Sequence, residues 1–235
     1  KNYIFQIAKD QKLKWFNYGV NGSTLGNMTV QGVNRNGFSN TRYTAMNANL
    51  KTIVLAFGFN DNAQGFRAKI EAYILATFGE TRYYTTTPAL YNTNSGDGVF
   101  FLTAAQNTAL ENAASPSSVN TFFSNQYIGA ITDTTNTTFY GAYNIVVEYL
   151  IQNYPQAKIG IVCPYGSKSG FTTACKDISK KFGLVAPFDF DSNTLTPLFY
   201  SRQSGDPSAN TTIGGVNLAT YRRSVYLADG THPND

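Results

Sequence analysis

The sequence predicts an α/β domain built on a parallel sheet, and three observations carry that prediction. Residues 52–57 are a near-continuous apolar run of strand length, as expected for a parallel strand covered on both faces, and residues 158–163 read as another strand. Segments with helical spacing alternate with strand-like runs, and the crossovers are long enough for parallel pairing. Polar loops rich in Gly, Asn and Asp follow the strands, which is where open α/β sheets bind ligands.

In chain order, Ile4, Ile7, Ala8 and Leu13 fall at helical spacing, with Lys9, Asp10 and Lys12 opposite. Residues 14–18 read as a short strand entering a loop with Gly19, Gly22 and Gly26. Such a loop is either a plain strand-to-helix turn or one whose backbone N–H groups approach a ligand closely. The 52–57 run ends at Gly58-Phe59-Asn60-Asp61-Asn62. An Asn amide at a strand end can donate to a developing oxyanion.

Residues 63–128 fit the alternation poorly. They hold helix-like segments at 66–78 and 102–114, a Tyr, Thr, Asn and Gly-rich run at 83–99, and a Ser-Pro-Ser-Ser linker at 115–118. Two readings stand side by side: an insertion forming a lid or substrate-facing wall, and ordinary structure packed on the core. The regular pattern resumes with Phe139, Ala142, Tyr143, Val146, Val147 and Leu150 at helical spacing, closed by Tyr154-Pro155. A strand at 158–163, a helix around 172–182 and a strand around 184–190 follow, and 194–227 is loop-rich.

Composition bounds the function. With 235 residues and 42% hydrophobic content, the chain fits one domain with a substantial core, or one domain carrying an insertion. Charged residues make up only 14%, and the abundant Asn, Thr, Ser, Gly and Tyr suggest a secreted or virion-exposed protein. The net charge of +4 is dispersed, without the basic runs that track phosphates, so nucleic acid is not an expected partner. No apolar run reaches bilayer length, so no membrane span is expected. Cys163 and Cys175, the only cysteines, lack metal-ligand spacing and read as one disulfide or two buried thiols. No metal and no organic cofactor is implied, because the acidic residues are scattered and there is a single His.

That single His lies in Asp229-Gly230-Thr231-His232-Pro233. A carboxylate three residues before a His can fix its tautomer and leave the other ring nitrogen as a base. The same five residues also read as a surface turn.

The order of glycine loop, Gly-x-Asn-Asp and Asp-x-x-His-Pro resembles the SGNH (GDSL-like) hydrolase family. The resemblance covers most of the chain outside 63–128 and implies a flavodoxin-like three-layer α/β/α fold with an insertion after the Gly-x-Asn-Asp loop. It also implies a serine esterase that cleaves acetyl or acyl esters, with an ester-bearing small molecule or glycan as substrate. By this resemblance His232 is the general base, Asp229 its orienting acid, and Gly22 (backbone N–H) and Asn60 (side-chain amide) form the oxyanion hole. The segments from Thr137 to Ala142 and from Tyr154 to Ile159, ending at Pro164, are similar to bacterial and phage members.

No Gly-Asp-Ser nucleophile motif occurs in the chain. The expectation is a single domain over 1–235, truncated at both ends, whose nucleophile Ser lies upstream of Lys1. Ser23 and Ser192 are the internal competitors for that role. In this reading the chain belongs to a larger parent chain or a virion assembly. The rival from another class is a non-catalytic carbohydrate- or receptor-binding module, to which the 16 tyrosines would lend stacking surfaces.

Overall fold

The computed structural model describes residues 14–30, 32–79, 102–164, 169–189, 212–213 and 216–217. It is a mixed α/β structure organised on a short parallel pair. Strand β3 (Thr52–Ala56) runs parallel to β4 (Lys158–Val162), in register from Thr52 opposite Lys158 to Ala56 opposite Val162. Ahead of them, β1 (Thr29–Val30) and β2 (Val33–Asn34) form an antiparallel hairpin. Strands β5 (Thr212–Ile213) and β6 (Val216–Asn217) form another.

Helices α1 (Phe59–Phe78), α2 (Ala104–Ala114), α3 (Val119–Ile128) and α4 (Phe139–Asn153) lie between β3 and β4 in sequence, and α5 (Ser169–Lys181) follows β4. After α5 the chain returns beside β4 through a single parallel bridge, Val162 to Phe188. This β4–α5–bridge unit supplies the alternation that the sequence predicts, although the expected strand around 184–190 is reduced to that one bridged residue among the described residues.

Local chemistry sets the helix starts. The Thr103 hydroxyl accepts from Gln106 N at 3.2 Å while the Gln106 side chain accepts from Thr103 N at 2.9 Å, a reciprocal capping box at α2. Ser118 and Thr138 cap α3 and α4 by accepting from Thr121 N and Gly141 N. Helix α4 is the centre of the core. All six positions that its sequence spacing marks, from Phe139 to Leu150, are fully buried. Each such aliphatic side chain contributes about 1.5–3 kcal/mol on burial. The Phe139 ring lies 5.0 Å from Tyr143 and 4.8 Å from Phe171, which fastens α5 to α4. Behind β4, Cys163 and Cys175 are both buried free thiols, the second of the two readings open for them.

The described parts of 63–128 are mostly helical, and Ile70, Ile74, Leu110, Phe123 and Tyr127 from them belong to the same core as α4 and the strands. Two sequence expectations are corrected. Residues 14–18 join no strand ladder. They are held instead by side chains: Arg42 Nη1 donates to Tyr18 O at 3.0 Å, and Asn47 N donates to the Tyr18 hydroxyl at 2.7 Å. Among the described residues, strand β3 is buried on one face only, with Ile53 and Leu55 buried and Val54 45% exposed. An apolar run shows that a strand tolerates burial, but it does not count the layers packed upon it.

Gly65 sits inside α1, where Ala would be favoured by about 1 kcal/mol on helix propensity alone. A Cβ there would lie 2.0 Å from Tyr127 Cδ1. Overpacking of this kind costs about 1–3 kcal/mol. Gly65→Ala should therefore lower the urea midpoint despite its better propensity. Gly160→Ala, where a Cβ meets nothing within 4 Å, should leave the midpoint unchanged or raise it.

Candidate functional site

The site is assembled where the carboxyl end of β3 meets the glycine loop. Gly58, at φ 110°, turns the chain out of the strand, and α1 begins at once with Phe59. Asn60 and Asp61 thus lie in the first turn of a helix rather than in a loop as the sequence suggested. The change matters because the first N–H groups of a helix have no intrahelical acceptor. Asp61 reaches back and accepts from Gly58 N at 3.1 Å, which closes the turn.

The glycine loop is built from backbone contacts. Ser23 N donates to Val20 O at 3.1 Å, closing a turn with Gly22 at φ 70°, a conformation that favours glycine. Further on, Phe38 N donates to Thr24 O at 2.9 Å and Ser39 N donates to Leu25 O at 3.0 Å. Gly37 permits this approach, since a Cβ there would lie 2.5 Å from Gly26 O. Asn27 N donates to Asn136 O at 2.8 Å, tying the loop to the segment that leads into α4.

Of the residues that the sequence nominates, Gly22 and Asn60 are brought together. Asn60 Nδ2 donates to the carbonyl of Ser23, the residue after Gly22, at 2.9 Å. Gly22 is exposed and Asn60 half-buried, so both face the surface above a buried floor. A carboxamide nitrogen carries two hydrogens, and one bond to Ser23 leaves a second to offer. Ser23 itself is buried, and its carbonyl serves as a structural acceptor. Asp229, His232 and Ser192 lie outside the described residues.

Sequence reasoning missed the floor of the site. Asp61 is 1% exposed and accepts from Leu25 N at 2.9 Å, Gly26 N at 3.2 Å, Gly58 N at 3.1 Å and the Tyr127 hydroxyl at 2.5 Å. Its place beside Asn60 in the Gly-x-Asn-Asp motif was the available signal for Asp61. Tyr127, 66 residues further on, had no local signal. Burial pushes the Tyr127 phenol well above its usual pKa, as does the charge of Asp61, so it remains a donor.

Among the described residues, no group of three His, Cys, Asp or Glu side chains converges as metal ligands would. No helix among them is long and apolar enough to cross a membrane.

No protein-family model matches the chain, and no curated protein does. A crystal structure of a protein from Lactobacillus plantarum, from the Northeast Structural Genomics consortium, superposes with a TM-score of 0.54 at 15% sequence identity. The match covers 99% of this chain and 79% of that one. The likeness is one of fold.

Burial is the main cause of a raised pKa at Asp61, outweighing the Tyr127 and backbone hydrogen bonds that lower it. The folded chain then holds this proton more tightly than the unfolded chain does. Its contribution to stability is complete below the ordinary carboxylate pKa and is lost as pH rises through the raised one. Asp61→Asn cannot titrate. The difference in unfolding free energy, wild type minus Asp61→Asn, should therefore fall as pH is raised from below about 4 towards neutrality. Urea melts across that range check the sign, and a difference that rises would show that the four donors outweigh burial.

Proposed function

We propose that the chain carries an SGNH (GDSL-like) hydrolase domain of flavodoxin-like α/β/α layering, a serine esterase acting on acetyl or acyl esters of a carbohydrate or cell-surface glycan. The observation that carries this reading is the junction of Asn60 with the glycine loop. Two donor types that an oxyanion hole uses, a backbone N–H at Gly22 and a side-chain amide at Asn60, come from separate segments joined by the 2.9 Å bond to Ser23 O. Both stand at the carboxyl end of a parallel strand, where α/β sheets hold their ligands.

In this mechanism His232, oriented by Asp229, takes the proton of the nucleophilic serine as it attacks the ester carbonyl. The nucleophile is the serine of a Gly-Asp-Ser motif, which these 235 residues do not contain. Gly22 and Asn60 stabilise the tetrahedral oxyanion. His232 then protonates the leaving alcohol and activates the water that releases the acyl group. The uncharged polar composition fits a protein that works outside the cell or on a virion.

The full-length protein should hydrolyse p-nitrophenyl acetate, and His232→Ala should abolish turnover. Asn60→Ala should lower kcat by about 10²- to 10³-fold while the chain stays folded. Wild-type turnover in Asn60→Ala would overturn the oxyanion role. Absence of hydrolysis together with glycan binding would replace the enzyme by a carbohydrate-binding module.

A further inference from the structure

We infer that Tyr127 is a positioning residue for the oxyanion hole, acting through Asp61 on both donor segments. This inference rests on the esterase reading above. The geometry is that of a clamp. One carboxylate takes hydrogen bonds from Leu25 and Gly26 on the glycine loop, from Gly58 at the strand end, and from the Tyr127 hydroxyl on α3. Gly22 lies three residues before Leu25, and Asn60 is the residue before Asp61. The orientation of this carboxylate therefore sets the spacing between the two oxyanion donors. The Asn60 bond to Ser23 O is a second tie across the same gap.

Three of the four donors are backbone groups whose positions the carboxylate itself helps to set. Tyr127 is different because its ring is held independently. It packs 6.2 Å from Phe171 on α5, and Gly26 and Gly65 leave it room, since a Cβ at Gly26 would lie 2.5 Å from its hydroxyl oxygen. Tyr127 is thus the fixed point against which the carboxylate is aligned. Without the hydroxyl, the carboxylate keeps its backbone bonds but loses its one tie to α3, so the glycine loop and the strand end can shift together with it. Oxyanion donors act on charge that appears in the transition state, so loosening them lowers kcat while substrate binding is unaffected.

The test is steady-state hydrolysis of p-nitrophenyl acetate by the full-length protein, at a temperature well below the unfolding midpoint of every variant. Tyr127→Phe keeps the ring and removes the hydroxyl. It should lower kcat about tenfold with KM unchanged. Asp61→Glu keeps the charge but displaces the carboxylate, and should show the same split, so the claim does not depend on one variant folding. If wild type hydrolyses the ester and both variants match its kcat, with only their unfolding midpoints lowered, Tyr127 and Asp61 are structural and the positioning role is wrong while the esterase reading stands. If wild type shows no hydrolysis, the esterase reading fails and the positioning role falls with it.

Discussion

The structure depends on one buried carboxylate. Removing an ionised group from water costs several kcal/mol, and the cost is tolerable only where donors converge on it. At Asp61 they come from three parts of the chain that share no sequence neighbourhood: the glycine loop, the turn out of β3, and α3. A shift of any one of them would remove part of the hydrogen bonding that offsets its burial. The requirement therefore acts as a registration mark, fixing how the loop, the helix start and the third helix sit relative to each other before any ligand is considered.

This constraint explains where the glycines fall. Gly58 turns strand into helix so that Asp61 comes within reach, Gly37 allows two backbones to touch, and Gly26 and Gly65 face the Tyr127 ring. Gly65 is the most telling, because glycine inside a helix is unfavourable and survives where something larger needs the space.

Helix α4 was legible in the sequence because a helix buried along most of its length writes its period directly, and each marked position from Phe139 to Leu150 is in the core. Strands β3 and β4 were legible for a similar reason. What the sequence did not show is pairing at a distance. Asp61 and Tyr127 meet across 66 residues, and a tyrosine four positions after Phe123 reads simply as one more apolar helical position. The exposed face at Val54 was hidden by the same ambiguity, since Val, Leu and Ile satisfy strand geometry whether one layer or two covers them. Residues 14–18 read as a short strand, but hydrogen bonds at Tyr18 tie the end of the segment without a ladder.

The two cysteines give the chain an internal reporter. Cys163 directly follows β4, Cys175 lies on α5, and both are buried. The Cys175 thiol is pushed well above its usual pKa, first by its hydrogen bond to Cys163 and then by burial, and it donates to the Tyr143 hydroxyl at 3.8 Å. Both sulfurs are buried, so a thiol reagent reaches them only when the packing around them opens. The rate of modification in native buffer therefore counts such openings, independently of catalysis.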